Sequence, residues 1–394
     1  MQFKNFQSFV DEATISFELP KSASQRGYER TTADGTRLAT VMAVFGPNAS
    51  GKTALLKSAA FLFWFMKASF TLEPDAEIPI PDLILNPENP SEFELVFDDI
   101  SGTTWKYELK VTPERVLWEA LYRKQTRFSY VFKRLWNEKI SGYDVSLQGF
   151  DMLQSQAKKV RQNASLISTA IQFNSSTTQF VERYMAHCNV SIDGRPHYRA
   201  NLNYANKAFE AFSDEKARAV QTLKSWDLGL EDIDIVEEKV LDEDSGKERA
   251  VLRAHFTHVR EDGTKFSLPY DLESNGTQSA YVLLALLYPV LRFGGIAVID
   301  EMESDLHPHL LESLLRLFDS EESNPHGSQL FFTSHTTKVL DYLSKSQTYF
   351  VEKIDCESST YRGDQIQGLR SDDNLRAKYE SGALGALPEV RHDA

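Results

Sequence analysis

Cysteine is nearly absent from this sequence. The 394 residues include two cysteines, Cys188 and Cys356, which lie far apart along the chain. Two isolated cysteines cannot build a disulfide framework or supply the sulfur ligands of a zinc site. The composition therefore argues against a disulfide-stapled secreted domain and indicates a reducing cytoplasm.

Long apolar runs are missing as well. The richest one, residues 59–70, is shorter than a membrane span and contains Lys67. The first six residues, MQFKNF, have no apolar segment of the length that a signal peptide needs. We therefore expect a cytoplasmic protein with no membrane partner.

Positive charge is in deficit. The chain has 43 Lys and Arg against 57 Asp and Glu, a formal net charge of -14. This balance argues against a protein that coats nucleic acid through its overall charge, although it leaves room for a local basic groove. The middle of the chain also lacks a heptad repeat, which argues against a long coiled-coil arm.

A glycine-rich loop lies between an apolar run, residues 41–45, and a segment that favours a helix, residues 54–62. The loop has the pattern G-x-x-x-x-G-K-[ST], in which the glycines let successive backbone N–H groups surround a phosphate. We expect Lys52 to reach the β- and γ-phosphates of a nucleotide and Thr53 to bind Mg²⁺. The alternative is a glycine-rich turn that binds no nucleotide. The predicted nucleotide-binding residues are Gly46, Pro47, Asn48, Ala49, Ser50, Gly51, Lys52 and Thr53.

A second apolar run, residues 296–299, ends in two carboxylates, Asp300 and Glu301. This is the form of a Walker B strand, in which the first carboxylate holds Mg²⁺. The next carboxylate orients or deprotonates the attacking water. A third apolar strand, residues 330–334, ends at His335, which we expect to donate a hydrogen bond that senses the γ-phosphate. Alone, an apolar strand that ends in Asp-Glu is as often structural as functional, and a single His is usually structural. The presence of the P-loop favours the functional interpretation of both.

Residues 274–278 (SNGTQ) lie just before a helical run, residues 279–291. A serine hydroxyl and free N–H groups at a helix N-terminus form a second anion site. The alternative is an ordinary capped helix.

Basic and aromatic residues alternate in residues 123–139. Interleaving of this kind is found in nucleic-acid binding surfaces. The commoner explanation is a solvated strand face whose aromatic side chains belong to the core. The cations are Arg123, Lys124, Arg127, Lys133, Arg134 and Lys139, and the aromatic residues are Tyr122, Phe128, Tyr130 and Phe132.

Apolar spacing predicts the remaining organisation. Strands are expected before the P-loop, in a hairpin at 93–97 and 105–109, and over 116–132, whereas residues 151–226 have helical spacing and 240–268 return to strands. We interpret the helical part, which includes Phe180, Tyr184 and Cys188, as one compact insertion.

The order of the motifs resembles the ABC-type ATPase heads of the RecF, SMC and OLD group. Residues 301–308 resemble their D-loop and 332–335 their switch-histidine strand. The segments 5–9 (NFQSF), 273–278 (ESNGTQ), 349–353 (YFVEK) and 378–388 are similar to bacterial RloA-type and abortive-infection ATPases.

This resemblance implies an α/β fold, a P-loop NTPase with an ABC-type head that combines a mixed and parallel sheet core, an antiparallel β subdomain and a helical insertion. It divides the single head into an N-terminal lobe (1–140), the insertion (141–228) and a C-terminal lobe (229–394). It also implies ATP and Mg²⁺ as cofactors, with Glu301 and His335 as catalytic residues and Thr53 and Asp300 as metal ligands.

Partners are implied by the same resemblance. Two copies would close around ATP, with Ser274, Gly276 and Gln278 as signature residues that bind the nucleotide and with Ser274 and Gly276 meeting the γ-phosphate held by the other copy. The predicted function is an ATP-hydrolysing switch of a bacterial anti-phage defence system, active as a homodimer or higher homo-oligomer. It would control a separate effector encoded nearby, such as a TOPRIM-type nuclease. The alternatives are a RecF-like ATPase that binds DNA and a self-contained nuclease, for which no later Asp-x-Asp pair exists.

Two features depart from the family pattern. The signature has Asn275-Gly276-Thr277 where transporters of the wider superfamily have two glycines. No glutamine can be assigned to the Q-loop, and Asn86 or a neighbour is the candidate to replace it.

Overall fold

The computed structural model describes most of the chain. The described residues are 1–32, 34–80, 86, 88–183, 185–190, 198–226, 229–241, 247–304 and 306–387. Within them, no helix combines the length and the apolar character that a membrane crossing requires.

The strands of the N-terminal half are β1 (Gln2–Lys4), β2 (Ala13–Thr14), β3 (Glu29–Thr31), β4 (Arg37–Ala39), β5 (Val41–Phe45), β6 (Ser91–Asp98), β7 (Thr104–Val111), β8 (Val116–Lys124), β9 (Phe128–Asn137), β10 (Gly142–Leu147) and β11 (Met185–Cys188). Those of the C-terminal half are β12 (Leu230–Leu241), β13 (Glu248–Val259), β14 (Lys265–Pro269), β15 (Gly295–Ile299), β16 (Gln329–Thr333), β17 (Thr348–Ile354) and β18 (Glu357–Arg362). The helices are α1 (Lys52–Ala68), α2 (Gln154–Ala157), α3 (Leu166–Gln172), α4 (Gln179–Arg183), α5 (Tyr198–Ala211), α6 (Ser213–Ser225), α7 (Asn275–Phe293), α8 (Pro308–Arg316) and α9 (Leu375–Glu380).

A central sheet carries the predicted motifs. Its strand order is β11-β15-β16-β5-β17-β18, and every pairing is parallel except that of β17 with β18. All five residues of β5 are buried, as expected for a parallel strand covered on both faces. The parallel direction brings the carboxyl ends of β15, β16 and β5 to one edge, where the P-loop, Asp300 and His335 follow.

Each face of the central sheet packs into its own core. Met42 and Val44 of β5 pack into the core that includes α1, whereas Ala43 and Phe45 pack into the core that includes α7. Alternating strand residues point to opposite faces. Helices α1 and α7 therefore cover opposite sides of the sheet.

The second sheet is antiparallel and covers α1. Its order is β10-β9-β8-β7-β6-β1-β2. The predicted hairpin is confirmed as β6 and β7, which pair from Ser91↔Val111 to Asp98↔Thr104. The predicted extension over residues 116–132 is confirmed by β8 and β9.

A third sheet of β12, β13 and β14 leads into α7, and the predicted return to strands is confirmed there. Helix α7 ends at Gly294, whose φ of 83° lets the chain reverse directly into β15. Because helix and strand run in opposite directions, the N-terminus of α7 lies at the same end of the sheet as the carboxyl end of β15.

The prediction of one compact helical insertion over residues 141–228 is wrong in part, because the segment contains two strands, β10 and β11, as well as helices. Strand β10 extends the antiparallel sheet, and β11 pairs in parallel with β15, with Cys188 opposite Val298. Helix α3 packs in the α1 core, while α5 and α6 pack in the α7 core. The four residues of β11 were predicted as helix because so short a segment has no distinct periodicity; its pairing with β15 decides its conformation. Tyr184, used for that prediction, lies outside the described residues.

Candidate nucleotide site

The loop from Gly46 to Gly51 joins β5 to α1. A Cβ atom at Gly46 would collide with the carbonyl oxygen of Val351, and one at Gly51 would collide with the hydroxyl of Ser358. Gly51 also has a φ of 112°, in the region that favours glycine. Both glycines of the predicted pattern are thus required by the space around the loop.

Helix α1 begins without a side-chain cap. Its N-cap residue is Gly51, and its first turn contains no acidic residue. The first N–H groups of a helix have no partner within the helix, and the helix dipole adds a positive potential there. This helix start can therefore accept a phosphate.

Lys52 is the buried cation of the site. The residue is 7% exposed, and its ammonium group donates to the carbonyl oxygens of Gly46 (2.7 Å) and Pro47 (3.0 Å). Burial lowers the pKa of Lys52, while the nearby carboxylates of Asp300, Glu301 and Glu303 act in the opposite direction. The lysine thus lies among the carboxylates that follow β15.

Thr53 and Asp300 meet across the site. The hydroxyl of Thr53 donates to one carboxylate oxygen of Asp300 (3.0 Å), and the hydroxyl of Thr333 donates to the other (2.7 Å). Asp300 is 3% exposed. Two residues separated by 247 positions in sequence are therefore adjacent, as the prediction of a shared metal site requires.

These oxygen donors fit Mg²⁺. In nucleotide enzymes Mg²⁺ is commonly held by one or two carboxylates together with substrate phosphates, rather than by an all-protein cage. The hydroxyl of Thr53 and the carboxylate of Asp300 supply such a partial set beside the start of α1. Groups of three or more His, Cys, Asp or Glu suited to a metal were not found in the part of the chain that the structure describes.

Glu301 follows Asp300 in an unusual backbone conformation. Its φ is 49°, its N–H donates to the Thr333 hydroxyl (2.6 Å), and its carboxylate accepts from the hydroxyl of Ser304 (3.3 Å). The turn places it on the same edge of the sheet as the P-loop. Its catalytic role stays a prediction.

His335 and Glu303 are connected through the backbone. The N–H of His335 donates to the carboxylate of Glu303, and His335 is exposed. His335 follows β16, the strand between β15 and β5, and its contact with the γ-phosphate stays a prediction. Asp305 of the predicted D-loop lies outside the described residues.

Ser274 is the N-cap of α7. Its hydroxyl accepts from the N–H of Thr277 (3.2 Å), and Ser274 itself is exposed. Gln278 points away from the surface, because its amide donates to the carbonyl oxygens of Tyr270 and Glu273 (both 3.0 Å). In this structure the amide nitrogen of Gln278 therefore supports the signature loop, and its place among the nucleotide-binding residues stays a prediction.

Asn86, the candidate for the Q-loop, lies in a turn before β6. Its side-chain oxygen accepts from the amide of Asn89 (2.6 Å). Residues 81–85 and 87 lie outside the described residues, so that prediction is untested.

The basic and aromatic segment divides into parts with different surroundings. Arg134 and Phe132 are fully buried, which agrees with the core explanation. Lys133 lies on the opposite face, over the rings of Tyr122 (5.5 Å) and Tyr130 (4.9 Å). Three cations remain exposed around the turn between β8 and β9: Arg123, Lys124 and Arg127.

Two residues at the site were not predicted, Asn189 and Thr333. Asn189 follows β11 and bonds to the backbone of Asp300. The sequence around Asn189 does not place it at the sheet edge, because the segment before it, β11, was predicted as helix. Thr333 could have been found, since the carboxyl ends of neighbouring parallel strands meet at one edge.

Comparison with known proteins found one matching family model and several similar solved structures. A model of the family described as "AAA domain, putative AbiEii toxin, Type IV TA system" matches residues 41–341. No curated protein matched the chain.

Similar solved structures include SMC head domains and a recombination mediator protein. An SMC head bound to the C-winged helix domain of ScpA has 12% identity and a TM-score of 0.48, covering 91% of this chain and 95% of that one. The SMC head domain from Thermotoga maritima has 15% identity and a TM-score of 0.41, covering 92% and 97%. The recombination mediator protein RecF has 10% identity and a TM-score of 0.32, covering 82% and 93%.

Proposed function

The chain belongs to the family described as "AAA domain, putative AbiEii toxin, Type IV TA system", and we propose that it is an ABC-type P-loop ATPase of the RecF and SMC group that binds and hydrolyses ATP as a molecular switch. The observation that carries the proposal is the meeting of Lys52, Thr53 and Asp300 at one edge of the central sheet, beside the uncapped start of α1.

Each residue has a distinct task in this proposal. Lys52 and the N–H groups of the loop bind the β- and γ-phosphates, and Thr53 and Asp300 hold Mg²⁺. The metal would neutralise negative charge on the phosphate oxygens. Glu301 orients or deprotonates the attacking water, and His335 donates a hydrogen bond toward the γ-phosphate.

A second copy of the chain completes the site. Helices α1 and α7 cover opposite faces of the sheet, and Ser274 is exposed at the start of α7. A single chain therefore presents Ser274 to solvent, with the half-buried Gly276 two residues further along α7. We propose that these two residues contact the γ-phosphate held by the P-loop of the partner, in a homodimer or higher homo-oligomer that closes around ATP.

The output is assigned to another protein. The family description names a putative toxin of a toxin–antitoxin system, which supports a role in bacterial defence by abortive infection. We propose that ATP binding and hydrolysis change the contacts that this chain makes with a separate effector encoded nearby, such as a TOPRIM-type nuclease. A ligand shifts a conformational equilibrium only through different affinities for its two states.

DNA binding of RecF type is the second candidate. The observation in its favour is the exposed trio Arg123, Lys124 and Arg127. Such binding would weaken steeply as salt concentration rises, and the triple change of these residues to Glu would abolish it. Absence of DNA binding at low salt would exclude this candidate.

The variant Glu301→Gln tests hydrolysis. We expect slow, Mg²⁺-dependent release of phosphate by the native protein and a loss of at least about a hundredfold in the variant, because general-base catalysis contributes about that much. ATP affinity should remain, since Lys52, Thr53 and Asp300 are unchanged. The exposed Glu321→Gln is the control and should hydrolyse ATP normally. Unchanged turnover by the Glu301 variant would contradict the assignment.

Sedimentation of the Glu301→Gln protein tests the shared site. With ATP and Mg²⁺ it should form a dimer or larger species, and the double variant with Ser274→Arg should not, because a large cation there would block the partner. Native turnover should rise faster than linearly with protein concentration below the dissociation constant of the dimer. A Glu301 variant that stays monomeric with ATP at high concentration would rule out the shared site.

A further inference from the structure

Asn189 holds the backbone of Asp300 on one side. Its side-chain oxygen accepts from the N–H of Asp300 (2.7 Å), and its side-chain amide donates to the carbonyl oxygen of the same residue (2.9 Å). A carboxamide offers both a donor and an acceptor, so this pair of bonds satisfies both polar groups of one peptide residue.

The bonds replace a missing rung of the sheet. Strand β11 ends at Cys188, which lies opposite Val298, and the N–H of Asn189 still donates to the Val298 carbonyl oxygen (3.1 Å). Just beyond the end of β15, at Asp300, the side chain of Asn189 takes the place of strand backbone. The ladder is thereby extended to the residue whose carboxylate enters the site.

Thr333 holds the same point from the other side. Its hydroxyl accepts from the N–H of Glu301 (2.6 Å) and donates to the carboxylate of Asp300 (2.7 Å). Glu301 has a φ of 49°, a conformation that residues other than glycine rarely adopt. Thr333 is fully buried, so this hydroxyl is a fixed part of the site.

We propose that Asn189 and Thr333 are positioning residues that aim the Asp300 carboxylate at Mg²⁺. Asn189 fixes the peptide groups of Asp300, Thr333 fixes one carboxylate oxygen, and the second oxygen is left toward Thr53, the other proposed metal ligand. The inference rests on the proposed function, because it assigns Asp300 to the metal.

The test is direct measurement of metal binding. Mn²⁺ is titrated into the whole chain with a non-hydrolysable ATP analogue and followed by electron paramagnetic resonance, while binding of a fluorescent ATP analogue is measured in EDTA. We expect Asn189→Ala to weaken Mn²⁺ binding about tenfold, the lower end of the effect of removing a partner that orients a metal ligand. Its affinity for the metal-free nucleotide should stay within about twofold of the native value.

Asn324→Ala is the matched control. The side chain of Asn324 makes the same reciprocal pair of bonds with the backbone of Ser328 (2.6 and 2.9 Å), at the opposite end of β16 from the site. Its removal should lower stability in the same way and leave Mn²⁺ binding unchanged. An equal loss of Mn²⁺ affinity in both variants would show a general effect of destabilisation and overturn the proposal.

Thr333 provides a second pair of variants should Asn189→Ala fail to fold. Thr333→Val keeps the shape and loses the hydroxyl, so it should weaken Mn²⁺ binding, and Thr333→Ser should restore it. If Asn189→Ala or Thr333→Val binds Mn²⁺ with native affinity, this inference is overturned. The proposal that the protein binds ATP would still stand. A native protein that binds neither nucleotide nor Mn²⁺ would instead overturn the proposed function and this inference together.

Discussion

Helices α1 and α3 pack against each other, but the chain treats their N-termini differently. At α3, the hydroxyl of Ser165 accepts from the N–H of Ser168 (2.8 Å), and both carboxylate oxygens of Glu119 accept from the N–H of Leu166 (3.1 Å each). Helix α1 begins at Gly51 and has no acidic residue in its first turn. One helix start is closed by the protein's own carboxylate, and the other is shaped to receive an anion from outside.

The charges around the two helix starts follow the same division. Glu119 is fully buried, accepts from the Tyr107 hydroxyl (2.9 Å) and lies 3.4 Å from the guanidinium of Arg134. Burial raises the pKa of Glu119, and Arg134 opposes that shift. Glu119, Tyr107 and Arg134 thus form a buried structural network beside the start of α3, which we call the α3 cluster. At the start of α1 the buried ammonium of Lys52 donates to backbone carbonyl oxygens, and phosphates would be its stronger partners.

Removing the carboxylate at α3 should have the largest effect on stability. Glu119→Ala leaves the guanidinium of Arg134 buried without its ion pair, and we expect a loss of about 3–5 kcal/mol in the free energy of unfolding. Urea denaturation measures it. Glu92→Ala is the control, because its pair with Lys110 is about half exposed and should contribute less than about 1 kcal/mol. Equal losses in the two variants would break the comparison.

Removing the cation at α1 should affect ligand binding rather than stability. Lys52→Met keeps an unbranched chain but loses the ammonium, so we expect ATP affinity to fall about tenfold to a hundredfold, the loss of one or two charged hydrogen bonds. The free energy of unfolding should be unchanged or higher, since burial of Lys52 disfavours its charged form. Isothermal calorimetry and urea denaturation measure the two quantities. A destabilisation as large as that of Glu119→Ala would mean that Lys52 is also structural.

Tripolyphosphate should give the smallest effect and isolate the anion site from nucleotide recognition. At several times its dissociation constant it should stabilise the native protein by about 1 kcal/mol, by binding only the folded state. The shift in melting temperature should disappear in Lys52→Met. The decisive comparison is the native protein with Lys52→Met. A shift that persists in Lys52→Met would place the anion elsewhere.

Much of the candidate site could be predicted from the sequence. The P-loop depends on glycines at 46 and 51, and the space around both positions in the structure leaves no room for a side chain. Apolar runs ending at Asp300 and at His335 were expected to be strands, and they are parallel neighbours in the central sheet. These features follow from backbone freedom and from burial on both faces of a strand, which act over a few residues.

Other parts of the site have no local signal. The amide of Gln278 could have faced a nucleotide or its own loop, and the carbonyl oxygens of Tyr270 and Glu273 determine that it faces the loop. The expected helical character of residues 141–228 was also wrong in part, because the segment includes β10 and β11, which join two different sheets.

By itself, the sequence determined where a phosphate-binding loop, two buried strands with polar ends and a capped helix would form, because glycine, apolar runs and helix caps constrain the backbone locally. The tertiary structure alone decided that residues 185–188 are a strand and that Asn189 supports Asp300. These contacts join segments that are far apart in the sequence; the bond from Asn189 to Asp300, for example, spans 111 positions. A contact of that range becomes favourable only when the whole central sheet assembles, since the entropy of closing the intervening chain must first be offset.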